Sequence, residues 1–452
     1  MLSKTEKILF VFILFNFIFI ITFFLKGSNK LVVNKEINGG ALLAPLLSSQ
    51  KADKALNFLN KNNRHQAQNS AWKKNFSSQS SKFFLKSVRL DLSSMEAPDN
   101  LDVFIREILT RLEEVGANAV FVNPWSDGEA NYMSRIAPVN RLGKNFFLES
   151  FIKKAQQKNI KVYAWFVVGK DNFPFKEHPN WYAKTIKGDN YLQNDGHGVK
   201  LPFASLANDD YVNYHLNLIQ EVNRLSWDGW VISEPLIGWG DRYDDFYTDF
   251  SESSLKKFQQ KYKVDPREIF NPQSLFFYEK NPLLYKKWIN FRSQIVTAFV
   301  QKSIKKIRKN PDCIVIITLF TEPDKNGNLI PFQNLKEWLG EDICSLIKLR
   351  PDYLEIQSLF LDFEFPQKPD WTFEMIRQFK SQLPENIPLL VSVQGFNGQT
   401  PLSSQDFALS IKTAQKANIF GISFYAFHTL GKEHWEELKK LWKKKLNFIP
   451  KK

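Results

Sequence analysis

Cysteine is nearly absent from this 452-residue chain, which carries only Cys313 and Cys344. Two thiols cannot form a disulfide framework, and with no CxxC and no histidine beside either, both are expected to be buried and reduced. Histidine is scarce as well. His65, His178, His197, His215, His428 and His434 form no HExxH or comparable ligand spacing, so neither a zinc centre nor any other cofactor is called for. GxSxG, P-loop and kinase motifs are missing, which removes serine-hydrolase and nucleotide chemistry of the usual kinds. No internal repeat is present.

A basic surface over the whole chain is missing too, despite the net charge of +14. Residues 1–90 hold 14 Lys and Arg against 3 Asp and Glu, whereas the remainder holds 47 against 44. The globular part is therefore close to neutral, and nucleic acid is not an expected partner. The amino-terminal excess suits either a solvated lysine-rich linker or contact with anionic lipid or cell wall.

The longest apolar run is ILFVFILFNFIFIITFFL, Ile8 to Leu25, broken only by Asn16 and Thr22. About 18 residues at 1.5 Å each reach about 27 Å, enough for a thin bilayer core. No small-residue cleavage site follows it. Residues 1–25 are therefore expected to be a transmembrane signal anchor, 26–82 a polar basic stalk, and 83–446 the globular domain, held outside the cytoplasm in a bacterial envelope.

From residue 84 the sequence alternates strand and helix. Strands are predicted at 84–92, 119–125, 161–168, 229–234, 313–320, 352–358, 389–394 and 420–427. Amphipathic helices are predicted at 100–115, 146–158, 209–225, 284–309, 332–347, 371–382, 403–417 and 432–444. Eight such alternations predict an α/β fold, a (β/α)₈ TIM barrel. An open doubly wound sheet is the alternative, but the Gly-rich phosphate turn that usually accompanies it is missing. Long connections follow the third strand (169–208) and the fourth (235–283), at the ends where barrels keep their binding loops.

Reading each strand at period two sorts its side chains between helices and lumen. Arg89, Asp91, Asn123, Glu234, Glu322, Glu355, Gln357, Gln394 and Tyr425 are thereby candidates for one pocket, with Glu234 sharing the face of Trp230 and Ile232. Charged groups inside apolar strands are costly unless paired or used, so Arg89, Asp91 and Glu355 are alternatively a lumen-filling ion network. Converging carboxylates suit glycoside cleavage, in which one protonates the leaving oxygen and the other attacks or activates water. Glu234 is the expected acid/base, with Glu355, Glu322 or Asp91 as its partner. Asp241, Asp244 and Asp245 are further acidic groups, in the loop that follows. Trp125, Trp165, Trp239 and Tyr243 lie at or just after strand ends, where they are candidates to stack on sugar rings, with Trp165 alternatively read as core.

Several segments carry a resemblance. They are VRLDLSS, LEEVGANAVFVNPW, EANYMSRIAPVN, KNIKVYAWFVV, HPNW, LPFASLANDDYVNYHLNLIQEV, WDGWVISEPL and WINFRSQIVTAFVQKSIKKIRK, in this order across residues 84–444. The chain resembles the glycosyl-hydrolase-like family related to family 10. It is similar also to the carboxyl-terminal hydrolase domain of bacterial poly-N-acetylglucosamine deacetylases. The resemblance implies a barrel that cleaves cell-surface polysaccharide, with an acidic residue, often an Asp-Asp pair, ending the fourth strand. Here that place reads Glu234-Pro235, so one carboxylate is kept. Family 10 enzymes also end the seventh strand in glutamate, where this chain has Gln394. The expected function is a membrane-anchored glycoside hydrolase acting on an exported or wall polysaccharide. The alternatives are a barrel that binds glycan within an envelope complex without cleaving it, and a membrane scaffold with no glycan site.

Overall fold

A computed structural model describes residues 84–443, apart from 96–97, 127, 171–176, 195–199, 239–246, 322, 325, 360–369, 384–386 and 398–399. The expected membrane segment and stalk lie outside the described residues. So do Glu322, Trp239, Tyr243, Asp241, Asp244 and Asp245. Among the described residues no helix is long and apolar enough to cross a membrane.

Eight strands close into a barrel: β1 (Leu85–Leu90), β2 (Ala119–Val122), β3 (Lys161–Val167), β4 (Gly229–Ser233), β5 (Ile314–Leu319), β6 (Tyr353–Ser358), β7 (Leu389–Gln394) and β8 (Gly421–Tyr425). Each pairs in parallel with its sequence neighbours, and β8 returns to β1 through Leu85↔Gly421. This is the expected (β/α)₈ architecture, in which both strand faces are buried and the strands read as nearly unbroken apolar runs.

Leu85, Phe121, Tyr163, Trp165, Val231, Ile316 and Leu390 fill the lumen as one cluster. The tight filling demands glycine at two places. A Cβ on Gly229 would lie 2.4 Å from the Ile314 carbonyl and 2.7 Å from the Tyr163 ring, and one on Gly421 would lie 2.5 Å from Leu85 Cβ. Trp230 points the other way, with ring centroids 6.4 Å from Trp125 and 6.0 Å from Phe166, in the layer between strands and helices.

The outer helices are α1 (Leu101–Val115), α2 (Phe147–Gln157), α3 (Asp209–Val222), α4 (Glu252–Tyr262), α5 (Pro282–Ile307), α6 (Phe332–Leu339), α7 (Ile343–Lys348), α8 (Trp371–Gln382), α9 (Ser404–Gln415) and α10 (Lys432–Lys443). Local sequence sets many of their ends. Asn100, Asn208, Asn281 and Ser403 each accept a hydrogen bond from a first-turn amide, a cap worth about 1 kcal/mol. Two departures from the sequence reading stand out. The single helix expected over 332–347 is split into α6 and α7 by Gly340 at φ 71°, where a left-handed residue ends the first. The connection after β4 contains a helix, α4, which the sequence reading did not foresee. Its apolar stripe is thin, with Phe258 as the one large side chain fully buried; Phe258 packs among Phe250, Trp288 and Phe291. Cys313 is buried and Cys344 is exposed, so the expectation of two buried thiols holds for the first only.

Candidate active site

A polar layer closes the top of the lumen. Arg89 on β1 is 4% exposed; it ion-pairs with Glu355 on β6 and donates to Ser233 at 3.3 Å and Thr318 at 3.2 Å. Glu355 is fully buried and also accepts from Thr318 Oγ1 at 2.6 Å and from Ser423. The guanidinium lies 5.1 Å from the Trp165 ring centroid and 5.5 Å from that of Phe121, and the Trp165 indole donates to Ser233 at 2.8 Å. Each hydrogen-bonding group here meets a partner, as burial in a low-dielectric interior requires. Glu355, expected as a catalytic partner, therefore lies in the floor, with both oxygens taken by Arg89 and two hydroxyls. Trp165 belongs to the same layer, in keeping with its reading as core.

Asp91 follows β1 directly and is 6% exposed. Its Oδ1 accepts from the Ser93 amide at 3.1 Å, the Ser93 hydroxyl at 2.6 Å and Asn123 Nδ2 at 3.0 Å, while Oδ2 accepts from the Tyr425 hydroxyl. Asn123 accepts from the Leu92 amide at 2.8 Å through its other amide atom, so it orients Asp91 and is not a free ligand for substrate. Burial, and then the charge of Asp91, push the Tyr425 phenol far above its ordinary value, which keeps it a donor. Phe396 stacks on Tyr425 at 5.6 Å. Burial holds the His428 imidazole below its ordinary value, partly opposed by Asp91.

Glu234 occupies the mouth by breaking the strand rule. Period two would send it outward with Trp230 and Ile232, because Val231 and Ser233 are the residues that face the lumen. The backbone instead turns at Glu234 with φ 52°, left-handed for a residue with a Cβ, and the Leu236 amide closes onto the Glu234 carbonyl at 2.8 Å. The side chain is thereby brought to Gln357, whose Nε2 donates to Oε1 at 3.1 Å, and to Lys170, whose Nζ lies 3.3 Å from Oε2. It is 21% exposed. Burial pushes this carboxyl upward, but Lys170, Gln357 and the Arg89 charge outweigh it and hold it below the ordinary glutamate range. It rests as a carboxylate, the form of a nucleophile or general base; donating a proton to a leaving group would first require it to gain one.

The loop that carries Glu234 is clamped from behind. Arg292 on α5 is fully buried and donates to the carbonyls of Thr248 at 2.5 Å, Glu337 at 2.7 Å and Trp338 at 2.8 Å. Burial lowers it to about 10. Next in sequence to Thr248, Asp249 accepts from the Lys184 amide at 3.0 Å, from Ser205 and from both the amide and hydroxyl of Ser251. The connections after β3 and β4 are thus tied together and to α6.

Of the other sequence candidates, Gln357 meets Glu234 directly, and Gln394 is buried at the end of β7, in register with Tyr425. Trp125 is a correction. It is 7% exposed and packs among Phe166, His215 and Trp230, because the chain after β2 turns it towards the helices in the short ribbon Trp125–Ser126 with Glu129–Ala130. Its ring faces are covered and give no platform for sugar. The sequence reading missed Lys170. The one available signal was its place two residues after a buried Val168 at a barrel strand end, which did not distinguish it from a solvated loop lysine.

Residues 105–233 match the family model described as Hypothetical glycosyl hydrolase 6, from within α1 to the last residue of β4. No curated protein matches the sequence. Among solved structures, the PgaB (BpsB) glycoside hydrolase domain from Bordetella bronchiseptica is similar with a TM-score of 0.60 and 13% identity, covering 79% of this chain and 99% of that one. Alpha-L-fucosidase isoenzyme 2 from Paenibacillus thiaminolyticus gives a TM-score of 0.55 at 16% identity over 80% of this chain, and beta-galactosidase from Marinomonas ef1 gives 0.56 at 13% over 79%. The chain spans 49% and 59% of those two enzymes. At these identities the likeness is one of fold. The resemblance to a glycosyl-hydrolase-like family and to a PgaB-type hydrolase domain is borne out, and the fold is a (β/α)₈ barrel similar to those of glycoside hydrolases.

Proposed function

We propose that this protein is a glycoside hydrolase that cleaves an exported or wall polysaccharide, with the apolar run at 8–25 holding it to a bacterial membrane and the barrel outside the cytoplasm. The observation that carries this reading is the left-handed turn at Glu234, which takes a carboxylate off the helix-facing side of β4 and sets it at the barrel mouth. Holding a non-glycine residue in that conformation costs about 1–3 kcal/mol and persists where the surroundings enforce it, commonly at active sites. Glu234 acts as the carboxylate that attacks the anomeric carbon or activates water. Lys170 and Gln357 hold it ionised and aimed, and Asp91 and Tyr425 bind or orient the sugar from the β1 and β8 side.

The test is release of reducing ends from a panel of bacterial polysaccharides by wild type and Glu234→Gln. Loss of about a thousandfold in turnover with the fold retained is expected, within the range for a carboxylate acting in acid–base or nucleophilic chemistry. Turnover near wild type would remove Glu234 from the mechanism. A glycan-binding barrel without catalysis is the second reading, favoured by the engagement of Glu355 in the floor and of both Asp91 oxygens with donors. Glycan binding without any release across the panel would establish it.

A further inference from the structure

Glu341 lies in the three-residue link between α6 and α7, away from any strand end in sequence, and is fully buried. Its Oε1 accepts from the Phe320 amide at 3.1 Å. That amide comes just after β5, on the edge that faces β4, since the Glu234 amide donates to the Thr318 carbonyl two residues earlier at 2.8 Å. At Glu234 the chain leaves the barrel wall, so the next position on β5 has no β4 carbonyl opposite it, and the Glu341 carboxyl takes that place. The departing chain runs past the same link, with the Ile237 amide donating to the Leu339 carbonyl at 2.7 Å. The second oxygen of Glu341, Oε2, is buried and meets no hydrogen-bond partner among the described residues.

We propose that Glu341 is a positioning residue for Glu234, a proton-holding neighbour that makes the end of β4 a two-carboxyl system with one carboxylate and one carboxylic acid. This deepens the glycosidase reading and rests on it for the role in turnover, although the proton arrangement itself does not. A carboxylic acid suits the site because one oxygen caps an amide and the other is buried with no hydrogen-bond partner among the described residues, where a bare charge would be unsolvated. Burial raises the Glu341 carboxyl well above the ordinary range; the Phe320 amide opposes this, and the negative charge of Glu234 adds to it. The flanking charges are engaged elsewhere. Asp342 pairs with Lys336 at 3.0 Å, and Arg292 is bound to the carbonyls of residues 337 and 338. Two neighbouring carboxyls whose surroundings drive them in opposite directions are the arrangement by which one fold sets an acid beside a base.

The experiment is carboxyl ¹³C NMR of the full chain labelled at glutamate, titrated for wild type, Glu341→Gln and Glu234→Gln, beside the pH profile of turnover. Glu341 is expected to remain protonated at neutral pH, and its midpoint to fall by about one pH unit or more in E234Q, because a neighbouring negative charge is removed. E341Q preserves the cap on Phe320 and should fold; it should remove the alkaline fall in turnover that ionisation of Glu341 produces. Should E341Q fail to fold, the midpoint shift in E234Q still decides. A Glu341 midpoint that ignores E234Q, or one in the ordinary glutamate range, overturns the proposal even if glycan is cleaved. Coupled midpoints without cleavage of any glycan leave the two-carboxyl system standing and remove the glycosidase reading.

Discussion

Replacing Glu355 by glutamine separates a structural floor from a catalytic carboxylate. The wild-type group takes Arg89, Thr318 and Ser423 as donors in full burial. In E355Q the shape is nearly kept, but one oxygen becomes an amide that turns donors towards donors, and the buried guanidinium loses its paired charge. Breaking a buried pair from one side costs about 3–5 kcal/mol. Arg89 retains Ser233 and Thr318 and the faces of Phe121 and Trp165, the last two worth about 0.5–2 kcal/mol each. A loss near the lower end, about 3 kcal/mol, is therefore expected. Urea unfolding of the full chain followed by circular dichroism measures it, with turnover recorded alongside. The double variant R89M/E355L removes both charges and should lose less than either single change, since no orphaned ion remains. Wild-type stability of E355Q combined with abolished turnover would refute this account and return Glu355 to the chemistry.

The acid limb of kcat/KM should have its midpoint below 4.5, because Glu234 is held below that ordinary value, and K170M should move the limb upward. The stability linked to Glu234 is likewise present above the unfolded value and lost as pH falls through the depressed folded one; a wild-type limb above the ordinary glutamate value would contradict the pairing. Glu234→Gly relaxes the left-handed turn while removing the carboxylate. It should abolish turnover with stability equal to or above that of Glu234→Ala, as compared by thermal melts. Arg292→Met strips three backbone carbonyls of their donor and should destabilise by about 3 kcal/mol or more, with increased proteolysis between residues 235 and 251. Gly229→Ala drives a Cβ against the Ile314 carbonyl and should cost about 1–3 kcal/mol in the same urea assay.

Strand positions were legible because a barrel strand is apolar on its helix face and nearly so on its lumen face. The run GWVIS, flanked by polar turns, has few other places to go. Helix positions were legible from their amphipathic stretches, and their starts are local too, since Asn100 and Asn208 cap their own first turns and need no tertiary partner. Arg89 and Glu355 were visible as charges inside apolar strands, and their pairing was one of two readings open to the sequence. What chose between them was register: β6 opposite β5 brings Glu355 beside Thr318, and closure of the barrel brings Arg89 and Ser423 to the same layer.

The site itself was decided beyond the strands. Alternation along β4 put Glu234 on the face of Trp230 and Ile232, read as the pocket side, but that face packs on the helices, and only a backbone angle, which no side-chain pattern encodes, turns Glu234 itself to the mouth. The same local freedom turned Trp125 away from it. Lys170, Arg292 and Glu341 come from a loop, a helix and a link between helices, so no period along the chain connects them to Glu234. The sequence by itself determined which segments must hide apolar surface, and hence a barrel of eight strands and helices, because burial depends on composition and spacing along each element. Tertiary structure decided which charges are neutralised, which carboxyl keeps a proton and which one faces outward, because those depend on groups distant in sequence meeting within a few ångströms where water is excluded.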